Sequence, residues 1–279
     1  VYEVRDVELA RHRGEVQWVS RIQSAPEDRR MELYWQEIRR ADGRMGEECH
    51  IELLLRMRDA DGLLVPPMAF IPAAERYSIM PAIDSWVVDE AIRLCRLKLA
   101  RAGGRRIQFG VNLSGSSIKD PEFRQRLLGK LSGHPEAGAC LCFEITETAA
   151  IGNLSAANHL IASLRGYGCR FALDDFGSGL SSFGYLKNLA VDFLKIDGVF
   201  VRDMVNNPID RSMVEAINRI GHLMGLRTVA EFAETERTVA LLREIGVDYV
   251  QGEAVRKPAP LAELETWLEK GGSACPSSG

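Results

Sequence analysis

Hydrophobic positions along this 279-residue chain fall into short bursts separated by longer periodic stretches. Apolar runs of strand length recur at 31–38, 50–56, 106–112, 139–145, 169–175, 191–197, 227–231 and 247–252. Between most of them apolar residues return every three or four positions, which predicts helices over 83–101, 121–132, 154–167, 207–224, 235–244 and 261–270. Strands alternating with helices predict a parallel sheet, and eight such strands predict that it closes as a (β/α)8 barrel. Segment 58–82, rich in Pro, Asp and Gly, is expected to be a loop, and 181–188 a turn or two of helix. Val16, Val19 and Ile22, with Trp18 beside them, form an apolar stripe that ends at Pro26. The organisation expected is a connector helix over 1–25, a barrel over 26–271 and a disordered polar tail over 272–279.

Composition narrows the partners. Lys and Arg number 35 against 39 Asp and Glu, a net charge of −4 that gives no basic surface for a nucleic-acid polymer. No apolar run reaches about 18 residues, so this stretch is not expected to enter a membrane, and a cytoplasmic setting is expected. Cys49, Cys95, Cys140, Cys142, Cys169 and Cys275 form no CxxC pair and read as small core residues of a reducing compartment. The chain lacks an initiator Met and opens in a helical pattern, as an excerpt of a longer protein would.

The chemistry gathers where the apolar runs end. Phe171-Ala172-Leu173 runs into Asp174-Asp175, and the Gly-rich turn Phe176-Gly177-Ser178-Gly179 follows. Glu52, Asn112, Glu144, Lys195, Glu231 and Gln251 sit in or near the ends of other strands. In a (β/α)8 barrel those ends share one mouth. Five carboxylates on one rim repel unless cations compensate them, and oxygen donors suit Mg²⁺, Mn²⁺ or Ca²⁺ better than zinc. Lys195 inside an apolar strand needs carboxylates or a phosphate, the alternative being a core ion pair with Asp197. Two oxygen-ligated metals with a Lys describe phosphodiester hydrolysis by an activated water, the Lys orienting that water or taking up its proton. His12, His50, His134, His159 and His222 are read as structural.

These motifs, in order, resemble the EAL domain, the bacterial phosphodiesterase module that linearises cyclic di-GMP. They are Glu52-Leu53-Leu54-Leu55-Arg56, Val111-Asn112-Leu113-Ser114, Glu144-Ile145-Thr146-Glu147, Asp174 to Gly179, Leu194-Lys195-Ile196-Asp197, Ala230-Glu231-Phe232-Ala233-Glu234 and Gln251-Gly252. The resemblance implies hydrolysis to linear pGpG with two Mg²⁺ or Mn²⁺ ions, Ca²⁺ being inhibitory. It implies metal ligands Glu52, Asn112, Glu144, Asp174 and Asp175, and catalytic roles for Lys195, Glu52 and Glu231. Substrate would meet Arg56, Gln36, Gln251 and Asp197, while Glu147 anchors the loop Gly177, Ser178, Gly179 at a homodimer contact. Residues 1–15 are similar to the end of a GGDEF domain, which implies an upstream GGDEF or sensor domain.

Several positions depart from the family pattern. Leu53 replaces the namesake Ala, Glu37 a Pro, Met57 a Trp, and Phe232-Ala233 a Gly-Val. Glu253 stands where an aromatic usually follows Gln251-Gly252, and Val255 replaces another large apolar residue. An acid at 253 would oppose a dianionic ligand, so a weakly active or inactive cyclic di-GMP receptor is the alternative function.

Overall fold

The computed structural model describes residues 30–98, 105–179 and 183–269, together with positions 19, 21, 22, 24, 25 and 28. Most of the expected connector helix and all of the expected tail lie outside the described residues; Ile22 and Ala25 are buried in the main core. Ten strands form one sheet: β1 Met31–Arg40, β2 Glu48–Arg58, β3 Leu64–Val65, β4 Arg106–Leu113, β5 Leu141–Thr146, β6 Arg170–Phe176, β7 Phe193–Ile196, β8 Arg227–Ala230, β9 Tyr249–Val250 and β10 Ala259–Pro260. Eight of them, all but β3 and β10, close a barrel, because β1 pairs with both β2 and β9. All eight coincide with the apolar runs of the sequence.

β1 runs antiparallel to both neighbours, whereas β2 and β4 to β9 are mutually parallel. Only residues 41–47 join β1 to β2, enough for a hairpin and too few for a crossover helix. The mouth therefore collects the carboxyl ends of seven strands. Predicted helices appear at Met80–Lys98, Pro121–Gly133, Leu154–Arg165, Pro208–Leu223, Glu236–Ile245 and Ala262–Glu269.

The expectation of a loop over 58–82 is wrong. β3 and a helix over Pro67–Arg76 occupy it. Pro66 caps and Pro67 starts that helix, where a fixed φ helps and a missing N–H costs nothing, and Phe70, Ala73 and Ala74 bury one face. The proline that reads as a breaker is a helix start. Residues 183–188 form one 3-10 turn, and Leu180 lies outside the described residues.

Strand alternation sorts the interior. Ile51, Leu53, Phe109, Val111, Phe143, Ile145, Leu194 and Ile196 belong to the main core. Leu53 is among them, so the namesake substitution is a packing change beneath Glu52. Inside the barrel, Cys142, Ala172, Phe193, Val229 and Tyr249 form a second apolar cluster. His50 joins this layer, against the Phe193 and Tyr249 rings, and burial pushes its pKa down to about 4. It is a neutral packing residue. The five described cysteines are buried and free.

Candidate functional site

Above the apolar layer, strand register brings the expected acids to one level. Gly110 lies beside Glu52, Asn112 beside Glu144, and Thr146 beside Asp174. Gly110 has no side chain for a specific reason: a Cβ there would collide with Glu144 Oε1. Gly110→Ala is thus expected to displace the Glu144 carboxylate and destabilise the fold by about 1–3 kcal/mol, the usual cost of overpacking; a urea midpoint equal to the parent's would contradict this contact.

Lys195 fills the centre, its side chain 1% exposed. Its Nζ contacts Glu144 Oε2 and lies 2.9 Å from Glu231 Oε1, 3.2 Å from Asp174 Oδ1 and 3.6 Å from Glu52 Oε2. Burial alone would favour the neutral amine, but these four carboxylates hold its pKa well above the ordinary lysine value. It is an ammonium that donates hydrogen bonds.

One ammonium does not neutralise that many acids. Burial, with the charges of Glu52 and Asp174 added, lifts Glu144 to about 8 against the pull of Lys195. Glu231 is pushed well up by burial and by Asp174. Glu52 resists the same burial and ends lowered, because Lys195, Gln251 and Asn112 all stabilise its charge. Asn112 Nδ2 donates to its Oε1 at 2.7 Å and Gln251 Nε2 to its Oε2 at 2.7 Å.

Asp174 and Asp175 would point to opposite faces of a regular strand. A bulge between Leu173 and Phe176, with φ of 53° at Asp175, turns both toward the mouth. Asp175 is raised to about 6 by partial burial, then by Asp174 and Asp197. Asp174, Asp175 and Glu231 offer ligand oxygens within 4.8 Å of one another. An all-oxygen donor set with surplus negative charge fits hard divalent cations. Glu231, expected in a catalytic role, stands with the two Asp residues as a direct candidate ligand.

The mouth opens into a cavity of about 510 Å³ lined by Gln36, Glu52, Arg56, Asp175, Glu231 and Gln251 among the residues named from sequence. Arg56 lies 5.2 Å over the Tyr34 ring and donates to Leu55 O. Asp197 is placed differently: its carboxylate accepts from Val199 N and caps the helix Gly198–Val201. Glu147 is buried below the rim, accepting from Gly177 N at 2.9 Å and from the Tyr185 hydroxyl at 2.7 Å, with Gly179 packed against it. Ser178 Oγ donates back to Asp175 O, which ties that loop to the acidic pair.

Sequence reasoning missed part of the rim. Phe232 adopts φ of 52° immediately after Glu231, and Arg202 lies 4.1 Å over its ring. Both line the cavity, as does Glu234. Gly198 is the space that ring needs, since a Cβ there would collide with it. An exposed Arg on a short helix carries no sequence signal of such a stack. Glu253 does line the cavity, but Lys257 Nζ lies 3.0 Å from it.

Comparisons with known proteins identify the family. Residues 19–258 match the EAL domain family. The chain is 38% identical over 262 residues to cyclic di-GMP phosphodiesterase PdeB of Shewanella oneidensis, covering 94% of this chain and 30% of that protein. It is 33% identical to cyclic di-GMP phosphodiesterase PdeF of Escherichia coli K12, covering 92% and 34%. The chain therefore spans about a third of the length of these curated relatives. Among solved structures, the PaMucR phosphodiesterase in complex with c-di-GMP superposes with a TM-score of 0.82 at 31% identity, covering 89% of this chain and 99% of that one.

Proposed function

This chain belongs to the EAL domain family, and from that premise we propose that it hydrolyses one phosphodiester of cyclic di-GMP to give linear pGpG, using two Mg²⁺ or Mn²⁺ ions. The observation that carries the proposal is the buried Lys195 ammonium enclosed by Glu52, Glu144, Asp174 and Glu231, of which Glu52 and Glu231 also line the open cavity. A purely structural lysine needs one carboxylate. Four, with Asp175 beside them, leave charge for divalent cations to take up.

Asp174, Asp175 and Glu231 would hold one ion, and Glu52, Asn112, Glu144 with Asp174 the other. Bound there, the ions would supply Lewis-acid polarisation of a phosphoryl oxygen and activation of water. The chain's own groups do the rest. Lys195 is charged, so it orients the attacking water by donation, and a role as proton acceptor is disfavoured. Arg56, which makes no ion pair among the described residues, is free to meet a phosphate. The Phe232 ring and Arg202 guanidinium offer a flat surface at the rim on which a purine can stack. Glu147 holds Gly177 and so the loop after Asp175 in place, and a homodimer through that part of the barrel belongs to the same proposal. So do an upstream GGDEF or sensor domain and a cytoplasmic setting; among the described residues no helix is long and apolar enough to cross a membrane.

A cyclic di-GMP receptor without turnover is the second reading, and Glu253 in the cavity wall favours it. The exposed pairing with Lys257 offsets that charge where it arises. The test is incubation with cyclic di-GMP in Mn²⁺ or Mg²⁺, followed by chromatography, beside a Ca²⁺ control. Linear dinucleotide in Mn²⁺ and little in Ca²⁺ is expected. Tight binding with no product in any metal would replace the enzyme reading by the receptor one.

A further inference from the structure

Glu37, where the family pattern has Pro, finds its counterpart in the structure at Arg256. The Arg256 guanidinium lies 4.9 Å over the Trp35 ring and 5.2 Å over the Trp267 ring, and the two indoles are 4.7 Å apart. Glu37 Oε2 stands 3.8 Å from Arg256 Nε. That Nε and both indole N–H groups are buried and make no hydrogen bond, so stacking and charge hold the side chain. Trp267 comes from the last described helix, Ala262–Glu269, and Trp35 from β1.

The backbone of the same residue faces the site. Gln36 Nε2 donates to Arg256 O at 2.8 Å. A carbonyl only accepts, so Gln36 must present its NH₂ outward and its oxygen inward. That oxygen accepts from Gln251 Nε2 at 3.0 Å, and the same NH₂ gives its second proton to Glu52 Oε2 at 2.7 Å. Donation runs outward from the Gln251 amide, through Gln36 to Arg256 O at one end and directly to Glu52 at the other. Turning Gln251 over would set its oxygen against the Glu52 carboxylate, and turning Gln36 over would set oxygen against the Arg256 carbonyl. The direction is fixed from the Arg256 end.

We propose that Arg256 is a positioning residue: clamped by Trp35, Trp267 and Glu37, it holds its carbonyl where the Gln36–Gln251 relay must orient the Glu52 carboxylate for metal binding. The inference rests on the reading of Glu52 as a metal ligand. It couples a site at the barrel mouth to the packing of the Ala262–Glu269 helix.

The test is Mn²⁺ binding, read from the spin-resonance signal of the free ion, for the parent chain, Arg256→Ala, Gln36→Leu and the double variant. Each single change is expected to weaken binding about tenfold, the lower range for groups that orient metal ligands. The double variant is expected to bind no more weakly than the weaker single, because both cut one relay. Losses that multiply, or parent-like binding by Arg256→Ala, would overturn the proposal. Arg256→Lys keeps a cation beside Glu37 without the planar stack. It is expected to unfold at the parent's urea midpoint yet bind Mn²⁺ several-fold more weakly, and parent-like binding by this variant would likewise overturn the clamp. A parent chain with no saturable Mn²⁺ binding overturns the metal-site reading itself, and this inference with it.

Discussion

Lys195→Ala is expected to slow hydrolysis about 10²–10³-fold, the range lost with one preorganised hydrogen-bond donor. It is also expected to destabilise the metal-free chain, since removing one partner from a buried ionic cluster costs about 3–5 kcal/mol. The loss has a definite pH signature. Glu144 titrates at about 8 in the folded chain against an ordinary value of 4.5, so the folded state holds its proton more tightly than the unfolded state does. A raised carboxylate of this kind weakens the fold progressively as pH climbs from the unfolded value toward the folded one. Glu144 keeps its proton over that range with or without the ammonium, whereas Glu52, which Lys195 holds down against burial, rises once it is gone, so the penalty of Lys195→Ala must grow between about pH 5 and pH 8. Urea unfolding at both pH values checks this. An equal loss at each would mean that Lys195 is not the counter-charge of the cluster.

Asp174→Asn is the companion experiment, because it removes charge without removing shape. Asp174 is the leading charge acting on Glu231 after burial and raises Asp175 in the same way. Neutralising it is expected to lower Mn²⁺ affinity by more than the roughly 10–100-fold lost with a group that only orients a metal ligand, and to abolish hydrolysis with it. The metal-free chain, relieved of repulsion, is expected to gain about 1 kcal/mol at pH 8, the usual exchange of function for stability. Paired metal titration and urea curves read both quantities. A variant that is destabilised at pH 8 while still binding Mn²⁺ would make Asp174 a structural partner of Lys195 and no more.

Much of the architecture was legible because alternating strands and helices leave a strong pattern. Residues such as Phe109, Val111, Phe143 and Ile145, buried beneath helices, give continuous apolar runs, and the inward acids interrupt them at one level. Two local features were not legible. The helix Pro67–Arg76 reads as a loop because prolines usually mark breaks, yet Pro67 starts it at the first turn and Pro72 is accommodated inside it. The antiparallel setting of β1 follows from the length of the 41–47 connection rather than from any residue in the strand.

For the site, residue identity gave the ligands and backbone geometry gave their use. That Asp174 and Asp175 both reach the mouth depends on a bulge and a left-handed φ that two neighbouring acids do not announce. Sequence cannot show that the Glu231 carboxylate converges with theirs. Asp197, expected to meet substrate, also caps the helix Gly198–Val201, which sequence does not announce. The Phe232–Arg202 stack and the Trp35–Arg256–Trp267 clamp join residues 30 and more than 200 positions apart, and long-range pairs leave no local signature. Glu37 and Glu253 looked like isolated liabilities, and each has a basic side chain beside it.

The central claim is that the strand-end acids form a divalent-metal centre whose surplus charge Lys195 only partly offsets. Counting the Mn²⁺ ions that the chain binds at about pH 8, by calorimetric titration with cyclic di-GMP present, tests it most directly. The account predicts saturation at two ions per chain, falling when Asp175 is replaced by Asn. Titration that shows no saturable Mn²⁺ binding would contradict it, and would leave the acids as partners of Lys195 alone.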